Sequence, residues 1–382
     1  MKTKKTIFTF LLVFLGIGLF AQDDWEPRTH FTGYINSVAE YSDCKNLKKD
    51  YAVGLSEIGF LASYKPLEKL EFKTTLVYSH YTFHVSQLFV EGYGMYHFNE
   101  AFKLGVGRFL TPLSPVNLYF YAPLNPSGVV PMLVSQHFLF PQSISGFQLA
   151  GEVEAASTVK LGYNGTIGSY AYINHFESGV LGLLSQEDSY PSFGYYDTEA
   201  DKINNYLCGT GRVYGVFNDM ITVGANLFLA DAQQVTQDPV TNAFVYYPST
   251  KYTFGFDFHL NISNIKVNAE YWGGKQETTE ETDVALGQHI VNEYTGYYGE
   301  AIYDGDVFKP FLRWDFIEDI NVNGMGLPTS AATVGIAIRP RYETLLKLEY
   351  KRIMAKEILD IGNQVIQDYD YNYAQFSFVL SF

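Results

Sequence analysis

The last eleven residues, Asn372-Tyr373-Ala374-Gln375-Phe376-Ser377-Phe378-Val379-Leu380-Ser381-Phe382, decide the fold. Even positions carry Ala374, Phe376, Phe378, Leu380 and Phe382, while odd positions carry Tyr373, Gln375, Ser377, Val379 and Ser381. Neighbouring side chains of an extended chain point to opposite faces. The stretch therefore reads as a strand with one oily face and one mostly polar face, ending on an aromatic residue. The period of two recurs upstream. Residues 330–339 put Ala332, Val334, Ile336 and Ile338 on one side. Tyr252, Phe254, Phe256, Phe258 and Leu260 oppose Thr253, Gly255, Asp257 and His259. Leu70, Phe72, Leu76 and Tyr78 oppose Glu71, Lys73 and Thr75.

Composition agrees. Of 382 residues, 17% are aromatic, with 31 Tyr and 30 Phe, and 47% are hydrophobic. Mean hydropathy is nevertheless only -0.05. Alternation explains both numbers, because each strand dilutes its apolar face with a polar one. The apolar content also excludes a disordered chain. The formal net charge of -15 argues against nucleic acid, whose phosphates need a basic face. Two cysteines make neither a disulfide framework nor a four-ligand zinc site.

The chain opens with Lys2, Lys4 and Lys5, an apolar run from Phe8 to Phe20, and Ala21 before Gln22, Asp23 and Asp24. These are the parts of a secretory signal, expected to be removed as residues 1–21, leaving residues 22–382 as one domain. An N-terminal membrane anchor is the alternative. No later stretch reads as an apolar membrane helix, and a closed barrel is the other structure that satisfies its backbone in lipid.

Sixteen strands are expected, at 30–41, 52–65, 69–82, 86–98, 101–109, 144–154, 157–175, 203–217, 220–230, 250–261, 264–274, 291–303, 306–318, 329–339, 343–354 and 370–382. Asn164-Gly165, a good hairpin dipeptide, would shift one boundary. Short turns at 66–68, 99–100, 155–156, 218–219, 262–263, 304–305 and 340–342 alternate with long loops at 42–51, 110–143, 176–202, 231–249, 275–290, 319–328 and 355–369. A tight link near Phe83 is the exception. Short turns on one side and long loops on the other predict an all-β, transmembrane, antiparallel up-and-down β-barrel of about 16 strands. A soluble sandwich is the runner-up.

The terminal Phe382, on a strand with Phe376, Phe378 and Leu380 on its oily face, resembles the sorting signal of outer-membrane barrels. Gly107-Arg108-Phe109-Leu110-Thr111-Pro112-Leu113 resembles the segment before the third loop of phosphate-selective-type porins. Residues 311–319, FLRWDFIED, and 335–340, GIAIRP, are similar to late strands of that family. The overlap spans most of the chain as a pattern and only these blocks as residues. The resemblance implies a Gram-negative outer-membrane porin, typically trimeric, passing small hydrophilic solutes. It implies partnership with lipid, lipopolysaccharide and the barrel-assembly machinery, and no cofactor. In that family anion selectivity rests on luminal Lys and Arg clusters. This acidic chain shows no such cluster.

If the oily faces meet lipid, the opposite faces put Lys73, Lys266, Glu270, Lys309, Arg313, Asp315, Lys347, Glu349 and Lys351 inside, as channel-lining candidates. Glu71, Asp257 and Glu300 fall there too. A bland reading has these charges simply pair and solvate a wet wall. Arg108 falls on the lipid side, unless a bulge shifts it or its side chain snorkels to the rim. From Phe109 to Gly151 there is no Asp, Glu, Lys or Arg. An uncharged loop must be buried against something. Segment 110–143 is thus the candidate constriction, with Tyr119, Phe120, Tyr121, His137 and Phe138 as its contact residues. A cap over the mouth or a contact with a neighbouring subunit are the alternatives. The outer loops lean acidic at Glu277, Glu280, Glu281 and Asp283, and across 176–202.

No catalytic or metal site is expected. His80 and His84 lie about 13 Å apart if both are on one strand, too far for a single ion. There is no Gly-x-Ser-x-Gly elbow and no His-Glu-x-x-His. A barrel enzyme of lipase or protease type, or a structural or adhesive barrel without an open channel, remain the other classes.

Overall fold

The structure is a computed structural model that describes residues 26–44, 50–79, 88–118, 121–135, 139–173, 203–237, 244–320, 328–360 and 365–382. The candidate signal 1–21, the pair His80 and His84, and all of loop 176–202 lie outside them.

Sixteen strands are present: β1 Arg28–Cys44, β2 Asp50–Leu67, β3 Leu70–Ser79, β4 Phe89–Asn99, β5 Phe102–Leu110, β6 Ser143–Ala156, β7 Val159–Ile173 and β8 Ile203–Phe217. They continue as β9 Ile221–Gln237, β10 Phe244–Ile262, β11 Ile265–Thr278, β12 Val291–Tyr303, β13 Phe308–Ile320, β14 Thr329–Arg341, β15 Thr344–Asp360 and β16 Val365–Ser381. Every strand pairs with its sequence neighbours, and β16 closes on β1, so the sheet is a closed antiparallel barrel. Three short helices are described: α1 Pro115–Leu118, α2 Met132–Ser135 and α3 Glu280–Leu286.

Closure removes the sheet edges, the feature that lets a large antiparallel sheet exist in lipid. The last residue completes it. The backbone N–H of Phe382 donates to Gly33 O, and that of Gly33 donates to Phe382 O, both at 2.9 Å. Phe376, Phe378, Leu380 and Phe382 all lie on the outer surface and are exposed. The whole exterior follows suit. Phe254, Phe256, Leu312, Trp314, Val334 and Leu348 are exposed along one wall. Thr253, Asp257, Arg313, Thr333 and Lys347, on the opposite faces of the same strands, are buried. This is the inverse of a soluble core and marks a lipid-facing surface.

Three expectations need correction. Asn164 and Gly165 form no turn; they lie within β7, opposite Ala150 and Leu149 of β6. Several strands also run past their expected outer ends, as in β9, β10, β15 and β16. The pair β9–β10 stays in register from Leu260↔Ile221 out to Phe244↔Gln237. The period-two signal reports contact with lipid, whereas the hydrogen-bonded ladder continues into water, where the outward face need not be apolar. The β8–β9 connection is one residue longer than the expected Asn218-Asp219, since Phe217 pairs with Ile221 and Asn218, Asp219 and Met220 lie between them. Asn218 and Asp219 both have φ 53°, the left-handed geometry that such turns require. Asp283, in the β11–β12 connection, accepts hydrogen bonds from Thr278 and His289. The Thr278 contact is foremost in holding its carboxyl below the usual carboxylate range.

Candidate functional site

Between β5 and β6 the chain turns inward. Strand β13 lies half-way round the barrel from β5, yet the backbone N–H of Met132 donates to Asp315 Oδ1 of β13 at 2.9 Å. The segment therefore crosses the interior. It is fastened on several strands. Ser114 Oγ donates to Glu270 Oε1 of β11 at 2.8 Å. Ser127 Oγ and the Gly128 N–H donate to Glu349 Oε2 of β15 at 2.9 and 2.7 Å. Lys347 Nζ donates to Ser127 O at 2.9 Å, and Arg339 of β14 donates to Pro123 O at 2.6 Å. Thr253 of β10 donates to Leu139 O at 2.8 Å. Tyr121 OH donates to Glu91 Oε1 of β4 at 3.3 Å.

The chemistry follows from the residue types. A segment without charges offers backbone N–H and C=O groups, which need partners once out of water. The wall supplies ionised partners of both signs, and charge-assisted bonds are the stronger kind. Arg313 is the hub. Its Nε meets Asp315 Oδ2 at 2.9 Å, and its Nη1 reaches Val129 O at 2.9 Å, Ser127 Oγ at 3.3 Å and Glu300 Oε2 at 3.6 Å. Glu270 accepts three bonds, from Ser114, Trp272 Nε1 and Tyr298 OH. Apolar side chains fill the spaces between. Leu113, Met132, Leu133, Leu139 and Phe140 pack in one buried cluster with Tyr170, Phe228, Trp272, Tyr298, Ile317, Ile353 and Tyr371 of seven different strands. A second cluster joins Leu110, Tyr121 and Ala122 to Tyr34, Val77, Leu345 and Val379.

All nine sequence-selected wall residues point inward, but they divide into two groups. Glu270, Arg313, Asp315, Lys347, Glu349 and Lys351 lie at the level of the crossing segment and are 6% exposed or less. Lys73, Lys266 and Lys309 keep more contact with solvent, Lys73 paired with Glu91 at 2.7 Å, and Lys266 and Lys309 both with Asp304 at a turn. Of the loop residues, Tyr121 is buried, while Tyr119, Phe120, His137 and Phe138 lie outside the described residues. Arg108 lies on the outer surface, opposite Gly92 and Ser145. Cys208 is buried and free, facing the interior.

Asp257 and Glu300, expected inside, belong to a further inward cluster whose assembly around Arg212 the sequence reading did not anticipate. Arg212 of β8 binds both carboxylate oxygens of Asp257 at 3.2 and 2.8 Å, and stacks on Tyr214 at 4.7 Å. Asn226 donates to Asp257 at 2.9 Å, and His259 Nε2 lies 3.4 Å from it. His259 Nδ1 contacts Asn268, which donates to Glu300, the ion-pair partner of Arg313. A continuous polar chain thus runs from β8 to β13 and, through Ser127, to Glu349. Period two would have placed Arg212 inside and did place Asp257 there; that Arg212, Asn226 and His259 all converge on Asp257 was not visible from single strands. Gly224 makes room for Asp257, because a Cβ there would sit 2.2 Å from Asp257 Oδ2. Gly224→Ala is expected to destabilise the barrel by about 1–3 kcal/mol through that overpacking. Denaturant titration of the folded barrel measures it.

The closed sheet, the lipid-type exterior and the inward-folded segment define a porin-like β-barrel of outer-membrane type. No protein-family model matches the chain, and no curated protein matches it by sequence. Solved structures do match in fold. OmpT expressed in the outer membrane of Vibrio cholerae superposes with a TM-score of 0.62 at 11% identity, covering 94% of this chain and 99% of that one; OmpT has also been solved in a trimer form. An anion-selective porin from Comamonas acidovorans gives 0.57 at 14% identity, covering 94% and 100%. OmpF of Salmonella typhi, in complex with daunomycin, gives 0.54 at 14%, covering 93% and 97%. At such identities the likeness concerns the fold.

Proposed function

We propose that this chain is an outer-membrane porin of a Gram-negative bacterium, a passive diffusion channel for small hydrophilic solutes. The observation that carries the reading is the uncharged segment between β5 and β6, drawn across the lumen and fastened to the far wall, where it narrows whatever passage remains. Lipid and lipopolysaccharide surround the barrel, the barrel-assembly machinery reads its C-terminal strand, and copies of the chain assemble, as the trimer form of OmpT does. Residues 1–21 are the export signal. The chain is not an enzyme in this reading.

Selectivity follows the charges. The segment offers neutral groups, and the luminal cations Lys73, Lys266, Lys309, Arg313 and Arg212 are each held by a carboxylate. With a net charge of -15 overall, the barrel is expected to favour neutral solutes and cations over phosphate. The anion selectivity of the Comamonas porin is thus not carried over to this chain. A second reading, a closed structural barrel, is favoured by the buried apolar cluster that joins the segment to ten strands. Planar-bilayer recording with pure folded protein decides between them. Discrete conductance steps with a reversal potential favouring cations, or no ion preference, fit the porin. Absence of conductance sinks it in favour of the closed barrel.

A further inference from the structure

We infer that the inner wall of β6–β9, beside and below the crossing segment, is a recognition site for a neutral, polyhydroxylated solute of sugar type. Alternation turns Gln148 of β6, Asn164 and Thr166 of β7, Thr210 and Arg212 of β8, and Asn226 of β9 to the interior. Lateral register sets them in two rows. Gln148, Thr166 and Thr210 are partners across β6, β7 and β8. This row continues through Phe228 to Thr253, which bonds the segment at Leu139 O. Asn164, Arg212 and Asn226 are partners across β7, β8 and β9, one step nearer the short turns. The six side chains cover about 10 Å by 7 Å of wall.

The patch carries no net charge. Arg212 is its one charged member, and Asp257 takes that charge through two bonds, at 3.2 and 2.8 Å. The other five are amides and hydroxyls. Gln148 Nε2 donates to Thr166 Oγ1 at 3.3 Å. Among the described residues, Asn164 Oδ1, Asn226 Oδ1 and Thr210 Oγ1 are shielded and make no hydrogen bond. Buried polar groups are ordinarily satisfied. An amide oxygen only accepts, so two of these three lack a donor. A solute rich in hydroxyls brings several donors at once. A simple anion brings acceptors instead, and a simple cation finds the nearby carboxylate of Asp257 already held by Arg212.

The floor of the patch suits a ring. A Cβ at Gly162 would sit 2.1 Å from Tyr214 Cζ, so the Tyr214 side chain lies close against β7. The Arg212 guanidinium stacks over that ring at 4.7 Å. A planar cation backed by an aromatic face is a rigid, flat surface on which the C–H side of a sugar ring can rest. Solvent reaches it, because the Arg212 side chain is 10% exposed and that of neighbouring His259 20%.

This inference rests on the porin reading and names a solute class for it. Its test reads binding, not conductance, so the two fail separately. The full-length folded barrel, in a detergent without a sugar headgroup, is titrated with sucrose and followed by saturation-transfer NMR. Saturable transfer to sucrose is expected, unchanged by sodium phosphate at matched ionic strength. Asn164→Leu and Thr210→Val are each expected to weaken sucrose binding about tenfold, the loss of one hydrogen bond. Ser169→Ala, on the outer face of β7, leaves it unchanged. Circular dichroism checks the fold of each variant. If Asn164→Leu does not fold, Gln148→Met replaces it with the same expectation. No saturable sucrose signal, displacement of sucrose by phosphate, or binding that survives the inward substitutions overturns the proposal.

Discussion

Replacing Arg313 by methionine is expected to cost the folded barrel about 3–5 kcal/mol, the usual penalty for breaking a buried ion pair from one side. The side chain is fully shielded, between Asp315 at 2.9 Å and Glu300 at 3.6 Å. Methionine fills similar volume, so packing changes little. What remains is two shielded carboxylates and the Val129 and Val130 carbonyls, all without their donor. Equilibrium unfolding in denaturant from lipid vesicles gives the loss. Two companions locate its cause. Adding Asp315→Asn to Arg313→Met is expected to recover part of the stability by removing one orphaned charge. Arg313→Lys is expected to fall between, since an ammonium cannot fork between Asp315 and the carbonyls. If the methionine variant is as stable as wild type, the hub role is wrong.

The second large effect concerns conduction. Exchanging residues 113–140 for a short Gly-Ser link is expected to raise single-channel conductance several-fold, because the segment that crosses the lumen is gone. The same change uncovers Glu270, Arg313, Asp315, Lys347, Glu349 and Lys351, which then line water. Conductance should become strongly dependent on ionic strength as these charges face the pore. The cost is stability, since the buried cluster around Leu133, Leu139 and Phe140 is lost. A fall or no change in conductance would remove the segment from the permeation path.

Much of this molecule could be read from residues alone, for a physical reason. In a barrel each strand touches lipid on one face and the interior on the other, so the period of two in Tyr252–Phe258 or Ala374–Phe382 carries both fold and facing direction. Hairpin turns such as Asn218-Asp219 are local as well. Strand ends were less legible, because pairing outlasts the apolar signal. The inward directions of Lys347 and Glu349 followed from alternation, but not their coverage, which depends on Ser127 and Gly128 some 220 residues away in sequence. Arg212, Asn226 and Asp257 meet only through lateral register, which one strand's pattern does not contain. The lack of charge between Phe109 and Gly151 signalled burial; which wall it would meet was encoded elsewhere.

The central claim is that the segment between β5 and β6 reaches across the barrel to the β15–β16 wall. A Cβ at Gly128 would lie 2.4 Å from Gln375 Oε1. The double variant Gly128→Cys, Gln375→Cys, in a background with Cys44 and Cys208 replaced by serine, puts one thiol on the segment and one on β16. In the folded barrel under mild oxidation the account predicts an intramolecular disulfide, seen by mass spectrometry as a peptide pair joined across the chain. Two free thiols in a folded, oxidised barrel would contradict it.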